Sequence, residues 1–378
     1  MKKRVLIVAG EASGDMHAAG LVRAVKRQAP DVEFAGIGGR LMREAGVDIL
    51  VDSAQMAVVG LFEVLAHFPT IYGALQLMRR QLRETKPDLL ILVDYPDFNL
   101  RLAKTAKELG IKVLYYISPQ VWAWRQERVH MIGQRIDMMA VVFPFEVPFY
   151  ESANVPVRFV GHPLLDEIGT PKPREQAVAD LGLDPTRKIF GLFPGSRRSE
   201  IKRLLPTLLE SARLLKTTQP DLQLVLPLAS TLNETFLAPF MQGYGELGIQ
   251  VIQNRFYDVT CACDAVVTAS GTATLEIALL GTPLAVIYKI APLSYRIMSR
   301  MIKVPHIALC NIVAEERIAP ELIQHDATPD RIVEVAQRML NDAEYATSMR
   351  ARLATIRSKL GDGGAAGRVG QLALELLQ

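Results

Sequence analysis

The 378-residue chain predicts an α/β protein of two doubly wound domains facing a cleft, with helices at its C-terminal end. Three observations carry that expectation. Short apolar runs alternate with helical patterns in the first half. A Pro- and charge-rich stretch, 166–188, then breaks the alternation. Beyond it the alternation restarts. A chain of this length suggests two or more domains, and 49% hydrophobic against 22% charged residues suffices for large cores.

In the first half the expected strands are Arg4–Ala9, Val32–Gly36, Leu89–Val93, Val113–Ile117, Met139–Phe143 and Arg158–Val160. Between them run helical patterns at Leu21–Gln28, Ala74–Glu84, Phe98–Leu109 and Glu127–Gln134, and Gly110 closes one of these at its C′ position. Such alternation means a parallel sheet covered by helices on both faces. The second half repeats it with Ile189–Phe193, Gln223–Leu226, Gln250–Ile252, Ala265–Thr268 and Leu284–Tyr288. Gly361–Gly367 reads as a hinge before a last helix, Arg368–Leu377. The expected division is a first domain 1–165, a linker 166–188 with room for one short helix, a second domain 189–360 and a C-terminal helix 361–378 that packs back on the first domain.

Ligands of doubly wound sheets sit at the C-terminal ends of strands, so the residues that follow each strand are the candidates. After Ala265–Thr268 comes Ser270-Gly271-Thr272, then a helix over Ala273–Leu280 stopped by Gly281. A strand, a small-residue turn and a helix N-terminus together form an anion site, because backbone N–H groups and the helix dipole converge there. Glu276, one turn into that helix, is an acceptor at ribose distance from such a phosphate. The same segment also reads as an ordinary βαβ unit. After Ile189–Phe193 comes Pro194-Gly195-Ser196-Arg197. Gly195 lets backbone approach a ligand, Ser196 follows it in the turn, and the Arg197 fork suits a pyrophosphate. Arg198, Lys202 and Arg203 read as a solvated helix face.

After the first strand comes Gly10-Glu11-Ala12-Ser13-Gly14-Asp15. This turn reads either as a phosphate or polar-substrate cradle built from Glu11, Ser13, Gly14 and Asp15, or as capping of the next helix by Ser13 or Asp15. After Leu89–Val93 comes Asp94-Tyr95-Pro96-Asp97-Phe98-Asn99. Asp97 is the candidate general base, with Asp94 in support, and helix capping by Asp97 is the alternative. Ser118–Arg125 (SPQVWAWR) holds both tryptophans, Trp122 and Trp124, placed to stack on a sugar, to line an acyl groove or to fill a core loop.

Val58–Leu82 is unusually apolar. It reads as a core helix or as an amphipathic surface touching lipid through Val58, Val59, Leu61, Phe62, Leu65 and Phe68. Tyr295–Lys303 mixes Arg296, Arg300 and Lys303 with Met298 and Met301 in an interfacial pattern. No run is long enough to span a bilayer. The net charge of +3 gives no argument for nucleic acid as a partner. The three cysteines, Cys261, Cys263 and Cys310, form no disulfide framework and fit a reducing cytoplasm. The sequence contains no Asp-x-Asp triplet and no His-Glu-x-x-His, and its six histidines lack ligand spacing. A metal-independent site without a cofactor is expected, with Arg197 and helix termini holding the leaving phosphate.

Together the motifs resemble the lipid-A-disaccharide synthase family, glycosyltransferases of the GT-B architecture with two Rossmann-like domains. GEASGD at Gly10–Asp15, PDFN at Pro96–Asn99, SPQVWAWR at Ser118–Arg125, FVGHP at Phe159–Pro163, PGSR at Pro194–Arg197 and SGTATLE at Ser270–Glu276 occur in the family's order across the whole chain. SPQVWAWR is the most specific of them; PGSR and SGT…E alone indicate only a nucleotide-sugar site. The resemblance implies a UDP-2,3-diacylglucosamine donor, a 2,3-diacylglucosamine 1-phosphate acceptor, and a β-1,6-linked disaccharide 1-phosphate plus UDP as products. It implies Arg197 near the pyrophosphate, Ser270, Gly271 and Thr272 at the helix turn, Glu276 at the ribose, Asn311 on the donor side and Asp97 as base. It further implies peripheral attachment to the cytoplasmic face of the inner membrane, and a monomer or a homodimer exchanging C-terminal parts. Two departures stand out. The family's usual Pro-Asn is Cys310-Asn311 here, and a usual Gly is Glu315. Gly39-Arg40-Leu41 also replaces the commoner Gly-Pro-Arg. The rival readings are a UDP-GlcNAc 2-epimerase-like enzyme and a non-catalytic peripheral binder of lipid or nucleotide sugar.

Overall fold

The computed structural model describes residues 2–56, 61–230, 232–291, 295–296 and 304–378, without the side chains of 55 and 61–68. The chain divides into two compact units, one of Met1–Asp166 with Leu360–Gln378, the other of Glu167–Lys359.

The first unit carries a seven-stranded parallel sheet in the order β3-β2-β1-β4-β5-β6-β7. Its strands are β1 Arg4–Ala9, β2 Glu33–Gly38, β3 Val47–Asp52, β4 Leu89–Val93, β5 Lys112–Tyr116, β6 Met138–Val141 and β7 Val157–Phe159. Helices α1 Ala12–Gln28, α2 Arg40–Glu44, α3 Leu61–Thr85, α4 Pro96–Glu108, α5 Arg128–Gly133, α6 Glu146–Glu151 and α7 Leu164–Ile168 connect them. Strand β4 (LLILV) is buried along its whole length, the pattern of a central parallel strand covered on both faces.

The second unit repeats the winding with six strands in the order β10-β9-β8-β11-β12-β13. Strands are β8 Ile189–Phe193, β9 Gln223–Leu228, β10 Gln250–Gln253, β11 Ala265–Ala269, β12 Leu284–Tyr288 and β13 Glu321–Ile323. Helices are α8 Arg174–Leu181, α9 Arg198–Thr218, α10 Glu234–Met241, α11 Phe256–Ala262, α12 Ala273–Leu280, α13 Leu309–Ala314, α14 Pro329–Asn341 and α15 Ala343–Lys359. In both units the first strand has the second on one side and the fourth of its series on the other, so the winding reverses at β1/β4 and at β8/β11. That reversal opens a crevice at the C-terminal strand ends, where such sheets bind ligands.

Four expectations are corrected. Strands β3 and β13 escaped the sequence pattern because both are edge strands with charged or half-exposed positions. Helix α1 starts at Ala12, inside the stretch read as a turn, with Glu11 as its N-cap. Helix α3 runs from Leu61 and continues through Pro69, so it is far longer than Ala74–Glu84. Residues 167–188 are part of the second unit, not a free linker. There α8 buries Ala177 and Val178 and packs on α11, with Lys172 paired to Asp258 at 2.6 Å and Arg174 to Asp264 at 2.9 Å.

The chain re-enters the first unit at Leu360. Its last helix, α16 Ala365–Leu377, lies against α1. Asp166 accepts from the N–H groups of Gly364 and Ala365 at its start. Arg368 donates to the carbonyls of Val160, Asp362 and Gly363. The two helices approach closely because a Cβ on Gly370 would meet that of Ala24 at 3.0 Å. Among the described residues no helix is long and apolar enough to cross a membrane.

Candidate active site

Each of the four candidate turns follows one of the two strands that flank a winding reversal. GEASGD follows β1 and DYPDFN follows β4; PGSR follows β8 and SGTATLE follows β11.

In the first unit β4 ends in two consecutive left-handed residues, Asp94 (φ 48°) and Tyr95 (φ 47°). Such conformations cost on the order of 1–3 kcal/mol each and persist only where surrounding contacts enforce them. Those contacts are present. The Tyr115 hydroxyl donates to the Asp94 carbonyl at 2.6 Å, and Asn99 Nδ2 donates to the same oxygen at 2.7 Å. The bend delivers Pro96 as the first residue of α4 and Asp97 as the second, so Tyr95 and not Asp97 is the N-cap. Asp97 is freely exposed, its carboxylate 3.5 Å from Arg128 Nη2. Asp94 is the less exposed member of the pair. Burial, then the charge of Glu11, raises its carboxyl to about 6, against a counteracting hydrogen bond from the Tyr95 N–H.

The GEASGD residues separate by role. Glu11 and Ser13 are exposed at the sheet edge, whereas Gly14 and Asp15 are buried. Asp15 accepts from the N–H groups of Gly39 at 2.6 Å, Leu41 at 3.0 Å and Met42 at 3.1 Å. It therefore caps α2 across the sheet and not its own helix, and its carboxylate is committed. The assignment of Asp15 to substrate is corrected accordingly, and the same bonds occupy the N–H groups of the Gly39 turn.

The tryptophans diverge as well. Trp122 is buried, edge-on to Phe145 with ring centroids 4.9 Å apart, and belongs to the core. Trp124 is exposed, with the Arg125 guanidinium 4.5 Å from its ring centre. Beneath their loop lies a group that sequence reading passed over. Glu146 is buried, accepting from Ser118 Oγ at 2.6 Å and from the Phe143 N–H at 3.0 Å, and the Tyr150 hydroxyl donates to Ser118 Oγ at 3.2 Å. Burial lifts the Glu146 carboxyl to about 7 despite those hydrogen bonds. Its signal in the sequence is a lone carboxylate inside the apolar run Val141–Tyr150. The first-unit histidines His17 and His162 are held neutral by burial, at about 4 and about 3.

In the second unit the turns rely on glycine. Gly195 has φ 101° and Gly271 φ 153°, both in the region that favours glycine. The Glu200 carboxylate accepts from the N–H groups of Ser196 at 3.1 Å and Arg197 at 3.2 Å, and pairs with Arg197 Nη1 at 3.2 Å. Glu200 thus satisfies from within the turn the donors that a phosphate would engage. Arg197 is mostly exposed at the head of α9. Gly271 and Thr272 are exposed at the start of α12, where Thr272 makes no side-chain cap. Glu276 accepts from the Tyr257 hydroxyl at 3.0 Å, and its carboxyl is raised by burial. Tyr257, absent from the sequence reading, is raised in turn by burial and by the charge of Glu276.

The assignment of Asn311 to donor contact is corrected. Asn311 is fully buried on α13. Its Oδ1 accepts from the N–H groups of Ile318 and Ala319, and its Nδ2 donates to the Ala319 carbonyl and to Glu321. The two departures from the family pattern are also placed. Cys310 is buried, its thiol pushed up to about 12 by burial. Glu315 ends α13 in the left-handed conformation (φ 58°), the C-cap geometry that glycine usually supplies. The lipid-facing candidates Val58, Val59, Met298 and Met301 lie outside the described residues, as do the side chains of Leu61, Phe62, Leu65 and Phe68.

Known proteins show the same organisation. The family model described as lipid-A-disaccharide synthetase matches residues 5–365. The chain is 58% identical over 376 residues to the lipid-A-disaccharide synthase of Trichlorobacter lovleyi, covering 100% of this chain and 98% of that protein. It is 60% identical over 374 residues to that of Nitrosococcus oceani, covering 99% and 96%. Among solved structures it resembles UDP-GlcNAc 2-epimerase from Neisseria meningitidis bound to UDP-GlcNAc, with a TM-score of 0.66 at 14% identity, covering 98% of this chain and 100% of that one. It also resembles the calicheamicin glycosyltransferase CalG4, with a TM-score of 0.61 at 16% identity, covering 100% and 98%. The structural likenesses establish the fold; the full-length matches establish more, and the chain belongs to the lipid-A-disaccharide synthase family.

Proposed function

We propose that this glycosyltransferase of lipid A biosynthesis transfers the sugar of UDP-2,3-diacylglucosamine to the 6-hydroxyl of 2,3-diacylglucosamine 1-phosphate. The observation that carries the reading is the placement of PGSR and SGTATLE at the β8/β11 reversal, with Arg197 exposed and Glu276 one turn into α12. Transfer is a single displacement with inversion. Asp97 takes the proton of the acceptor hydroxyl as its oxygen bonds to the anomeric carbon, and the bond from that carbon to the UDP oxygen breaks. Negative charge growing on UDP is stabilised by Arg197 and by the N–H groups at Gly271 and Thr272. Glu276 holds the ribose hydroxyls, exchanging its Tyr257 partner for them. Asp94 has a specific claim to share the base role, because a carboxyl near 6 is better matched to neutral pH than an ordinary aspartate. Trp124, Glu11 and Ser13 meet the acceptor.

The reaction needs no metal or cofactor in this reading. The enzyme works as a monomer or as a homodimer exchanging C-terminal parts, on the cytoplasmic face of the inner membrane, held there peripherally through the 58–68 segment. An epimerase is disfavoured because full-length relatives at 58% and 60% identity are synthases. The test is an incubation with UDP-diacylglucosamine and diacylglucosamine 1-phosphate in EDTA. A disaccharide 1-phosphate with stoichiometric UDP is expected. A free epimer, or no product from protein that still binds UDP, would overturn the proposal, and a requirement for added divalent cation would overturn its metal-independent part.

A further inference from the structure

Asn311 lies too deep to meet a ligand, yet it belongs to a buried polar chain that ends at the donor turn. Glu321 on β13 is almost completely buried. Its Oε1 accepts from the N–H groups of Ile307 at 3.1 Å and Ala308 at 3.0 Å, and from Asn311 Nδ2 at 2.9 Å. Its Oε2 also accepts from the Ile307 N–H, at 3.2 Å. These partners are all neutral N–H groups, so the carboxylate is held by hydrogen bonds. The Ile307 carbonyl, on the far side of the same residue, accepts from Ser270 Oγ at 3.0 Å. Ser270 opens the SGTATLE turn, and Gly271 beside it is exposed, its carbonyl accepting from the Thr274 hydroxyl at 2.8 Å.

We infer that Glu321 and Asn311 are positioning residues for the nucleotide-sugar turn. They fix Ile307, and Ile307 fixes the Ser270 hydroxyl and with it the direction of the turn's N–H groups. The turn's backbone is tied by the Ser270 N–H to the Ile287 carbonyl and by the Thr274 N–H and hydroxyl to the Gly271 carbonyl, and the Ser270 side chain takes its direction from a loop that the Glu321 carboxylate locks. Asn311 completes the device by tying the carboxylate to α13 and to the 318–319 backbone. On this account replacing Asn311 is expected to reach the donor through Glu321 and Ser270, without contact.

The inference rests on the donor reading given above, and UDP affinity separates the two. Calorimetric titration with UDP is carried out on the whole protein, on Glu321→Gln, on Ser270→Ala and on the double variant, with thermal melting alongside. Each single change is expected to weaken UDP binding roughly tenfold, and the double change by no more than the larger single effect, because both cut one chain. A folded Glu321→Gln protein with unchanged UDP affinity, or a double variant showing the product of the two single effects, would overturn the inference while leaving the donor reading in place. Absence of UDP binding by the unaltered protein would remove both. Should Glu321→Gln not fold, Glu321→Asp, which keeps the charge and shortens its reach, is expected to show the same non-additivity with Ser270→Ala.

Discussion

The two sheet edges share a winding, and on the proposed mechanism they solve different chemical problems. In the first unit the turns at the strand ends hold non-glycine residues in left-handed conformations, Asp94, Tyr95 and Ile117 among them, over buried carboxyls shifted upward. In the second unit Asn254 and Gln324 are left-handed after β10 and β13, but the turns that follow β8 and β11 use Gly195 and Gly271, and the N–H groups of Ser196 and Arg197 are taken by Glu200. Moving a proton requires a side chain delivered to one place, and the left-handed bend at Asp94 and Tyr95 delivers Asp97 at the head of α4. Holding a leaving phosphate requires backbone to come close, and any Cβ is in the way. On the proposed mechanism the difference between the edges is one between side-chain and main-chain chemistry on one topology.

The sharpest way to break that comparison is Asp97→Asn. Turnover is expected to fall about 10³-fold, within the range for losing a general base, while calorimetric UDP affinity stays put. A parallel loss of UDP affinity would mean that the edges do not divide the labour. Arg197→Ala is the mirror experiment, with kcat/KM for donor expected to drop about 10²-fold and UDP affinity with it. An unchanged rate would end its assignment. For Asp94 the readout is the pH–rate profile. A carboxyl near 6 must be ionised to act, so kcat/KM should decline as pH falls through about 6, and Asp94→Asn should abolish that acid limb. A limb that survives the substitution belongs to another group.

Glu146 gives a stability test with a definite sign. Its folded-state value of about 7 lies above the ordinary 4.5, so the contribution it makes is complete below 4.5 and is lost as pH rises through 7. His17 and His162, lowered to about 4 and about 3, slope the opposite way below their ordinary 6.5, so the comparison must be between variants. Between pH 4.5 and 7 Glu146→Gln is expected to gain on the parent by on the order of 2–3 kcal/mol in denaturant titrations. A pH-independent difference would mean that the carboxyl does not titrate in that window. The smallest effect is the most local. Glu315→Gly should raise unfolding stability by about 1 kcal/mol, because a left-handed C-cap strains every residue but glycine and the Lys359 partner sits 4.0 Å away at the surface.

The legible part of the molecule was what short-range pattern controls. Apolar runs located the central strands, and β1, β4, β8 and β12 end where the sequence placed them. The four turns were legible because glycine, serine and carboxylates directly after a strand have few structural uses. What escaped was set by distant partners. The bonds of Asp15 reach 24 to 27 residues along the chain, so nothing near GEASGD distinguishes it from Ser13. Resemblance alone assigns Asn311 to the donor, and only the folded position of β13 shows that its amide is spent. Glu146 and Glu321 each left the same faint mark, a single carboxylate in an apolar stretch.

The return of 360–378 to the first unit affects more than its packing. The apolar face of α1 is made roughly 340 residues before the helix that covers it. At about 5–20 residues per second that is a delay of some 20–70 s, during which the first unit lacks the helix that covers α1. A nascent chain therefore carries an unfinished first unit until α16 is made, and its dependence on chaperones should be governed by that helix.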